Sequence, residues 1–148
     1  MAAGDFVWFN AAKLKLGQKK IHLGTDTFKF AFISNSVTPT AATDDPCFGA
    51  SGTTNLATYE VSGGNVPAGG VPLTSVAFTE AAGAIKWTFA APSVAQNASN
   101  PSAARWAVVY SSTAANLDCL GFLDLGGVTN LAAAGFSATP PAAGVLTY

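Results

Sequence analysis

An antiparallel β-sandwich, jelly-roll-like and led by one short N-terminal helix, is the fold this sequence predicts, and three observations predict it. Apolar residues recur in short alternating runs, glycines (15) and prolines (8) punctuate the chain about every ten residues, and 16 aromatics are available to fill a core. At 148 residues the chain fits one domain large enough to bury a core without staples. That domain spans 1–148, with a helical arm at about 5–17 and a Pro/Ala-rich C-terminal segment at about 131–144.

The helix is expected from Asp5 as N-cap, the stretch from Phe6 to Leu16, lysines in its last turn and Gly17 as the C-terminal stop. Phe6, Phe9 and Leu16 would share its buried face. Because Phe6, Val7, Trp8 and Phe9 are four consecutive large apolar residues, a strand is the competing reading.

Over 27–33, Phe28, Phe30 and Phe32 alternate with Lys29, Ala31 and Ile33, placing three rings on one face of a strand. The same logic predicts strands at 57–62, 71–79, 85–90 (Ile85, Trp87 and Phe89 inward), 105–111 (Trp106, Val108 and Tyr110 inward), 119–125 and 144–148. Residues 34–54 and 91–103 read as long loops, and a connection as long as the first is expected to reach out and touch something. The glycines at 63–64 and 69–70 read as turns that need positive φ. The apolar tail over 132–145, broken by Gly135, Pro140, Pro141 and Gly144, reads as loop or edge.

Charge is scarce: 7 Lys and Arg against 8 Asp and Glu, a net of −1, where a soluble domain is typically about 25% charged. Such a surface is best explained if other protein covers much of it, so the chain reads as a subunit of an assembly. No run approaches the roughly 20 apolar residues of a membrane helix. The N-terminus lacks a basic region before its apolar residues, so no secretory signal is expected and synthesis in a cytoplasm is the simpler inference. Cys47 and Cys119, without neighbours at ligand spacing, read as buried thiols, with a disulfide as the alternative.

Motifs for chemistry are weak. His22 is the sole histidine and reads as an ordinary turn residue, and the two cysteines lack the paired spacing of a zinc site. Asp44 and Asp45 read as turn residues rather than a glycosidase pair or calcium loop, and the glycine pairs match no phosphate-binding loop. No cofactor or metal is expected. Lys13, Lys15, Lys19 and Lys20 concentrate four cations in eight residues and could meet a phosphate backbone or an acidic protein surface. With a net charge of −1 and no basic-aromatic groove, nucleic acid is not the favoured partner.

Several stretches resemble a known group. Phe9-Asn10-Ala11-Ala12-Lys13, Leu16-Gly17, the run from Ile21 to Ala31 with Gly24-Thr25-Asp26-Thr27-Phe28-Lys29, the turn Ala68-Gly69-Gly70, Arg105-Trp106-Ala107-Val108-Val109-Tyr110 and Gly121-Phe122-Leu123-Asp124-Leu125-Gly126 together resemble small tailed-bacteriophage virion structural proteins. The resemblance touches positions 6 to 126, and the segment from Leu131 to Pro141 departs from it. It implies a non-enzymatic head decoration, or cement, protein made in the bacterial host cytoplasm. Such a protein sits on the outer capsid surface, clamps major capsid protein subunits and associates with itself as a homodimer or homotrimer. A tail accessory subunit is the neighbouring alternative. A carbohydrate-binding module would instead need an exposed tryptophan among Trp8, Trp87 and Trp106, and an enzyme would need an acid-base pair in a cleft.

The residues expected to meet a partner are Phe6, Val7, Trp8 and Phe9, which carry more apolar surface than a short helix needs, the lysines Lys13, Lys19 and Lys20, and Asp44 and Asp45 in the first long loop.

Overall fold

A computed structural model describes residues 6–49, 51–140 and 146–147. The chain is mainly β, with several antiparallel sheets and few helices. Its elements in order are β1 (Val7–Trp8), α1 (Asn10–Gly17), β2 (Phe28–Ile33), β3 (Pro46–Cys47), β4 (Thr54–Asn55), β5 (Val71–Pro72), β6 (Ala77–Ala81) and β7 (Ala84–Thr88). There follow β8 (Ser93–Val94), β9 (Ala104–Ser111), β10 (Cys119–Thr129), α2 (Leu131–Ala134), β11 (Phe136–Ser137) and β12 (Leu146–Thr147).

The principal sheet has the order β1-β10-β9-β2-β5 and is antiparallel throughout. Its centre is the pairing of β2 with β9, six residues in continuous register from Phe28 opposite Ser111 to Ile33 opposite Trp106. The sequence alternation holds here: Phe28, Phe30 and Phe32 share a face with Val109 and, through the next strand, Leu123. The opposite face is buried as well, since Ala31, Ile33 and Val108 are as deep as the phenylalanines and Trp106 is also buried.

Two different layers cover those faces. On the phenylalanine side, Trp87 of β7 meets Phe28 edge-on with ring centroids 5.1 Å apart, and Phe136 of β11 lies 5.6 Å from Phe30 and 5.1 Å from Phe32. On the other side, Phe9 packs on Phe122 at 5.3 Å and Phe48 stacks on Tyr110 at 4.5 Å. The covering sheets are small: β12-β7-β6, β11-β8 and the parallel pair β3-β4.

Several expectations change. The helix begins at Asn10, and the segment before it is the strand β1, paired with β10 through Val7–Phe122 and Trp8–Gly121. Phe9 occupies the N-cap position with no side-chain cap, and Asp5 lies outside the described residues. The stop is not Gly17, which is helical, but Lys19 at φ 57, where the Lys19 and Lys20 amides bond back to the Leu16 and Lys15 carbonyls as a Schellman end does.

Residues 57–62 are not a strand. A 3-10 turn spans Leu56–Tyr59, its first turn capped by Asn55 Oδ1, and only Glu60 bridges to Ile33. The run at 71–79 splits into β5 and β6, while Ile85, expected inward, is exposed near the tip of a hairpin. The 91–103 loop contains β8. The tail expected to be loop or edge contains the short helix α2 and, in β11, an edge strand, and buried Phe136 ties it to the core. Of the last expected strand only Leu146–Thr147 is described, paired with β7; Pro141, Gly144 and Tyr148 lie outside.

The turn glycines behave as the sequence requires. Gly64 sits at φ 57, and a Cβ there would stand 2.6 Å from Asn100 Oδ1. Gly121 needs no unusual φ but must have no side chain, because a Cβ would collide with the Val7 carbonyl and the Phe6 ring as β1 crosses it.

Two outcomes are expected. Phe30→Ala leaves a cavity between Phe32 and Phe136 and should lower unfolding stability by about 3–5 kcal/mol in a denaturant titration. A chain lacking residues 1–9 loses β1 and the Phe9–Phe122 contact, so its circular dichroism should show a domain largely unfolded at 37 °C; a native melting curve would contradict the assignment of β1 to the core sheet.

Candidate functional site

The residues expected to meet a partner divide into two groups. Phe9 is completely buried and Trp8 is 8% exposed, held among Phe6 at 5.4 Å and Trp87 at 5.7 Å. The apolar surplus that marked this segment as an interface is therefore used inside the fold. Phe6 is half-buried, and only Val7, facing away from the Trp8 side, is exposed.

The helix supplies the other group. Asn10, Lys13, Leu14, Gly17 and Gln18 follow the spacing of one helical face, and all are exposed; Leu14 is 63% accessible. Lys19 and Lys20 continue this patch past the helix end. Three cations around an exposed leucine are suited to an acidic protein surface. Asp44 is exposed and its carbonyl accepts a bond from Thr54 Oγ1 at 2.7 Å.

The fourth lysine of the cluster points the other way. Lys15 is buried, and its Nζ bridges Asp118, whose side chain is 3% exposed, and the partly exposed Asp45. Burial alone would pull the Lys15 ammonium below the ordinary lysine value, but the hydrogen bonds and charges of Asp118 and Asp45 outweigh it and hold it above 10.5. Asp45, expected to meet a partner from the first long loop, instead bends at φ 39 and ties that loop to α1. Asp118 belongs to the turn before β10, where its carbonyl receives the Ser111 amide at 2.9 Å. Sequence reasoning read Lys15 as a helix-dipole lysine; the signal it missed was a lysine one turn after Ala12, on the buried face.

Most other carboxylates also hold protein groups. Asp26 accepts from the His22 amide and Ser111 Oγ, each at 3.0 Å, Glu60 from the Gly69 amide at 2.6 Å, and Glu80 from the Gly83 amide at 2.7 Å. Asp124 pairs with Arg105, whose guanidinium also lies 4.0 Å from the Trp106 ring centroid. The Arg105 hydrogen bond, then the Gly126 amide, hold the Asp124 carboxyl below 3.8. Tyr110 donates to the Gly69 carbonyl at 2.6 Å, and burial followed by the Glu60 charge pushes its hydroxyl up to about 12.

The remaining candidates for chemistry are dispersed. His22 is exposed in a turn with Asp26. Cys47 and Cys119 are buried thiols, the second raised well above 9.0 first by burial and then by Cys47 and Asp118. Among the described residues no cluster of three or more His, Cys, Asp or Glu is placed to hold a metal ion. An open depression beside β8 and β11 is lined by residues such as Gln96, Asn130 and Ser137, none of them titratable. All three tryptophans, which a sugar-binding face would have to expose, are buried. No helix among the described residues is long and apolar enough to cross a membrane.

Compared with protein-family models, with curated proteins and with solved structures, the chain matches none.

The titrations set a pH dependence. Lys15, Tyr110 and Cys119 all bind their protons more tightly folded than unfolded, so their contributions are complete below 10.5, 10.0 and 9.0, the respective unfolded values, and are lost as pH rises through the folded ones. Asp124 acts oppositely: its contribution is present above 3.8 and is lost as pH falls through the depressed value. Melting temperatures should hold steady at neutral pH and fall on both limbs. Lys15→Met should cost about 3–5 kcal/mol at pH 7, because Asp118 is left buried and unpaired, and should flatten part of the alkaline limb; an unchanged limb would show that Lys15 does not hold its proton as described.

Proposed function

We propose that this chain is a non-enzymatic structural subunit of a tailed-phage virion, a jelly-roll-like β-sandwich that binds the outer capsid surface as a decoration protein and stabilises contacts between major capsid subunits. The observation that carries the reading is the disposition of charge. A chain with only 8 acidic residues directs Asp26, Asp45, Glu60, Glu80, Asp118 and Asp124 onto its own groups. What is left outside is a small cationic patch, exposed leucine, valine, isoleucine and phenylalanine, and polar loops.

Such a surface suits a protein held in place by several neighbours at once. A copy that touches two capsomers needs only a modest interface with each, since the first contact raises the effective concentration for the second. The patch of Lys13, Leu14, Lys19 and Lys20 is the surface best suited to an acidic capsid face, taking over from Phe6 to Phe9. The resemblance of the segments between positions 6 and 126 to small virion proteins supports the same class, and the burial of every tryptophan weighs against the carbohydrate-binding module.

Co-sedimentation with stripped mature capsids, empty procapsids and isolated tails tests this. Saturable binding to mature heads, weakened at least tenfold when Lys13, Lys19 and Lys20 are changed together to Glu, is the expected result. Binding to tails alone would make the chain a tail accessory subunit, and binding to none would refute the virion assignment.

A further inference from the structure

The β6–β7 hairpin stands out from the body. Every residue from Phe78 to Ile85 is exposed, with Phe78 at 45% and Ile85 at 38%, so the distal half of the ribbon is uncovered on both faces. The two strands pair without a bulge from Ala77–Thr88 to Ala81–Ala84. The closing residues Ala82 and Gly83 both have positive φ, 53 and 80, as a two-residue type I′ turn requires. In such a hairpin the closing pair is hydrogen-bonded and the pairs alternate from there. The backbone N–H and C=O groups of Ala77, Thr79 and Ala81 therefore face β7, and those of Phe78 and Glu80 face outward.

Within the sheet β12-β7-β6, β6 is an edge, and among the described residues no strand lies beyond it. Exposed edges are ordinarily blunted by proline, by charged side chains, lysine above all, or by a bulge. Ala77-Phe78-Thr79-Glu80-Ala81 has no proline, lysine or bulge, its single charge, Glu80, accepts the Gly83 amide of its own turn, and its outward amides and carbonyls are the complement of another extended strand.

We infer that β6 is a self-pairing edge, through which two copies of this chain join antiparallel about a twofold axis at Thr79. In that register Phe78 and Glu80 exchange both of their outward hydrogen bonds with the partner's Glu80 and the partner's Phe78, so the whole edge is satisfied. Thr79 faces its own copy, a favourable cross-strand pair. A dyad one residue later would set two Glu80 carboxylates directly opposite, whereas this one places each against a phenylalanine. A net charge of −1 adds little long-range repulsion between copies. The ribbon is short, so the interface falls at the small end for a specific dimer and the association depends on concentration.

The test uses the full chain in solution and does not depend on the virion assignment. Sedimentation velocity across a concentration series should show a monomer–dimer equilibrium. Thr79→Lys, which keeps the inward backbone bonds of an exposed position but opposes two ammonium groups, should weaken it at least tenfold without moving the melting temperature. Thr79→Cys should give a disulfide-linked dimer under mild oxidation, since non-hydrogen-bonded cross-strand partners lie about 4.5 Å apart at Cα, while Glu80→Cys should cross-link far more slowly. A chain that stays monomeric and whose Thr79→Cys variant does not cross-link overturns the inference, as does a dimer indifferent to Thr79→Lys. If the chain is monomeric but Thr79→Lys abolishes capsid binding, the edge is occupied by a capsid strand and self-pairing is refuted while the virion reading stands.

Discussion

A sheet whose central strands are apolar on both faces must be covered twice, and most of this fold follows from that constraint. On β2 the phenylalanines point one way while Ala31 and Ile33 point the other, and β9 sets Val109 with the first and Trp106 and Val108 with the second. Each ring sequestered on either side contributes about 1.5–3 kcal/mol, so leaving one face wet would forfeit a large part of the core. The phenylalanine face is closed by single large residues from short strands, Trp87 and Phe136. The other is closed by Phe9 and Phe48, which arrive on the junction before α1 and on the long 34–54 connection. Elements of two residues persist because each delivers one anchor and needs little further regularity.

The second cover is also fixed electrostatically. Lys15 reaches from α1 into the space between the long connection and the turn before β10, and its ammonium meets Asp45 from one and Asp118 from the other. Three segments far apart in sequence share one buried cation. A buried pair of this kind contributes little net stability compared with a hydrophobic replacement, but the loss of one partner leaves a bare charge. Its effect is geometric: one ammonium ties α1 to both segments, and Asp45 takes part from a positive φ. Six of the eight acidic residues likewise hold groups of the chain itself, so few carboxylates are left free to meet other molecules.

The sequence made one kind of information visible and hid another. The alternation of Phe28, Phe30 and Phe32 identified β2 within a residue, and Trp106, Val108 and Tyr110 identified β9, because a period of two over six or more residues is hard to mimic. The glycine turns at 63–64 and 69–70 were equally legible, since positive φ leaves few residue choices. Two-residue strands carry no period, so β8 and β11 could not be seen, and β1 could be read as the start of the helix that follows it. The segment at 56–59 has strand-like composition, but Asn55 caps it into a turn. Lys15 was visible as a residue and not as a site, because its partners lie 30 and 103 positions away.

The same distinction separates the α1 patch from the β6 edge. On α1, Asn10, Lys13, Leu14 and Gly17 point away from the sheet by helical spacing, and Lys19 and Lys20 follow in the turn that ends the helix, so the patch is a by-product of which face the core takes. The β6 edge has no such origin. A hairpin tip exposed on both sides contributes nothing to burial, yet it is built with a regular register, a turn of the type that suits right-handed strand twist and a cap from Glu80 to Gly83. A tip that merely had to close the chain could be short and irregular. An ordered ribbon that extends an edge with a single charge and no proline or bulge into solvent is costly to leave exposed, because it invites unselected pairing. Such an edge is consistent with a chain in which it is regularly occupied, and the scarcity of charge on the rest of the surface points the same way.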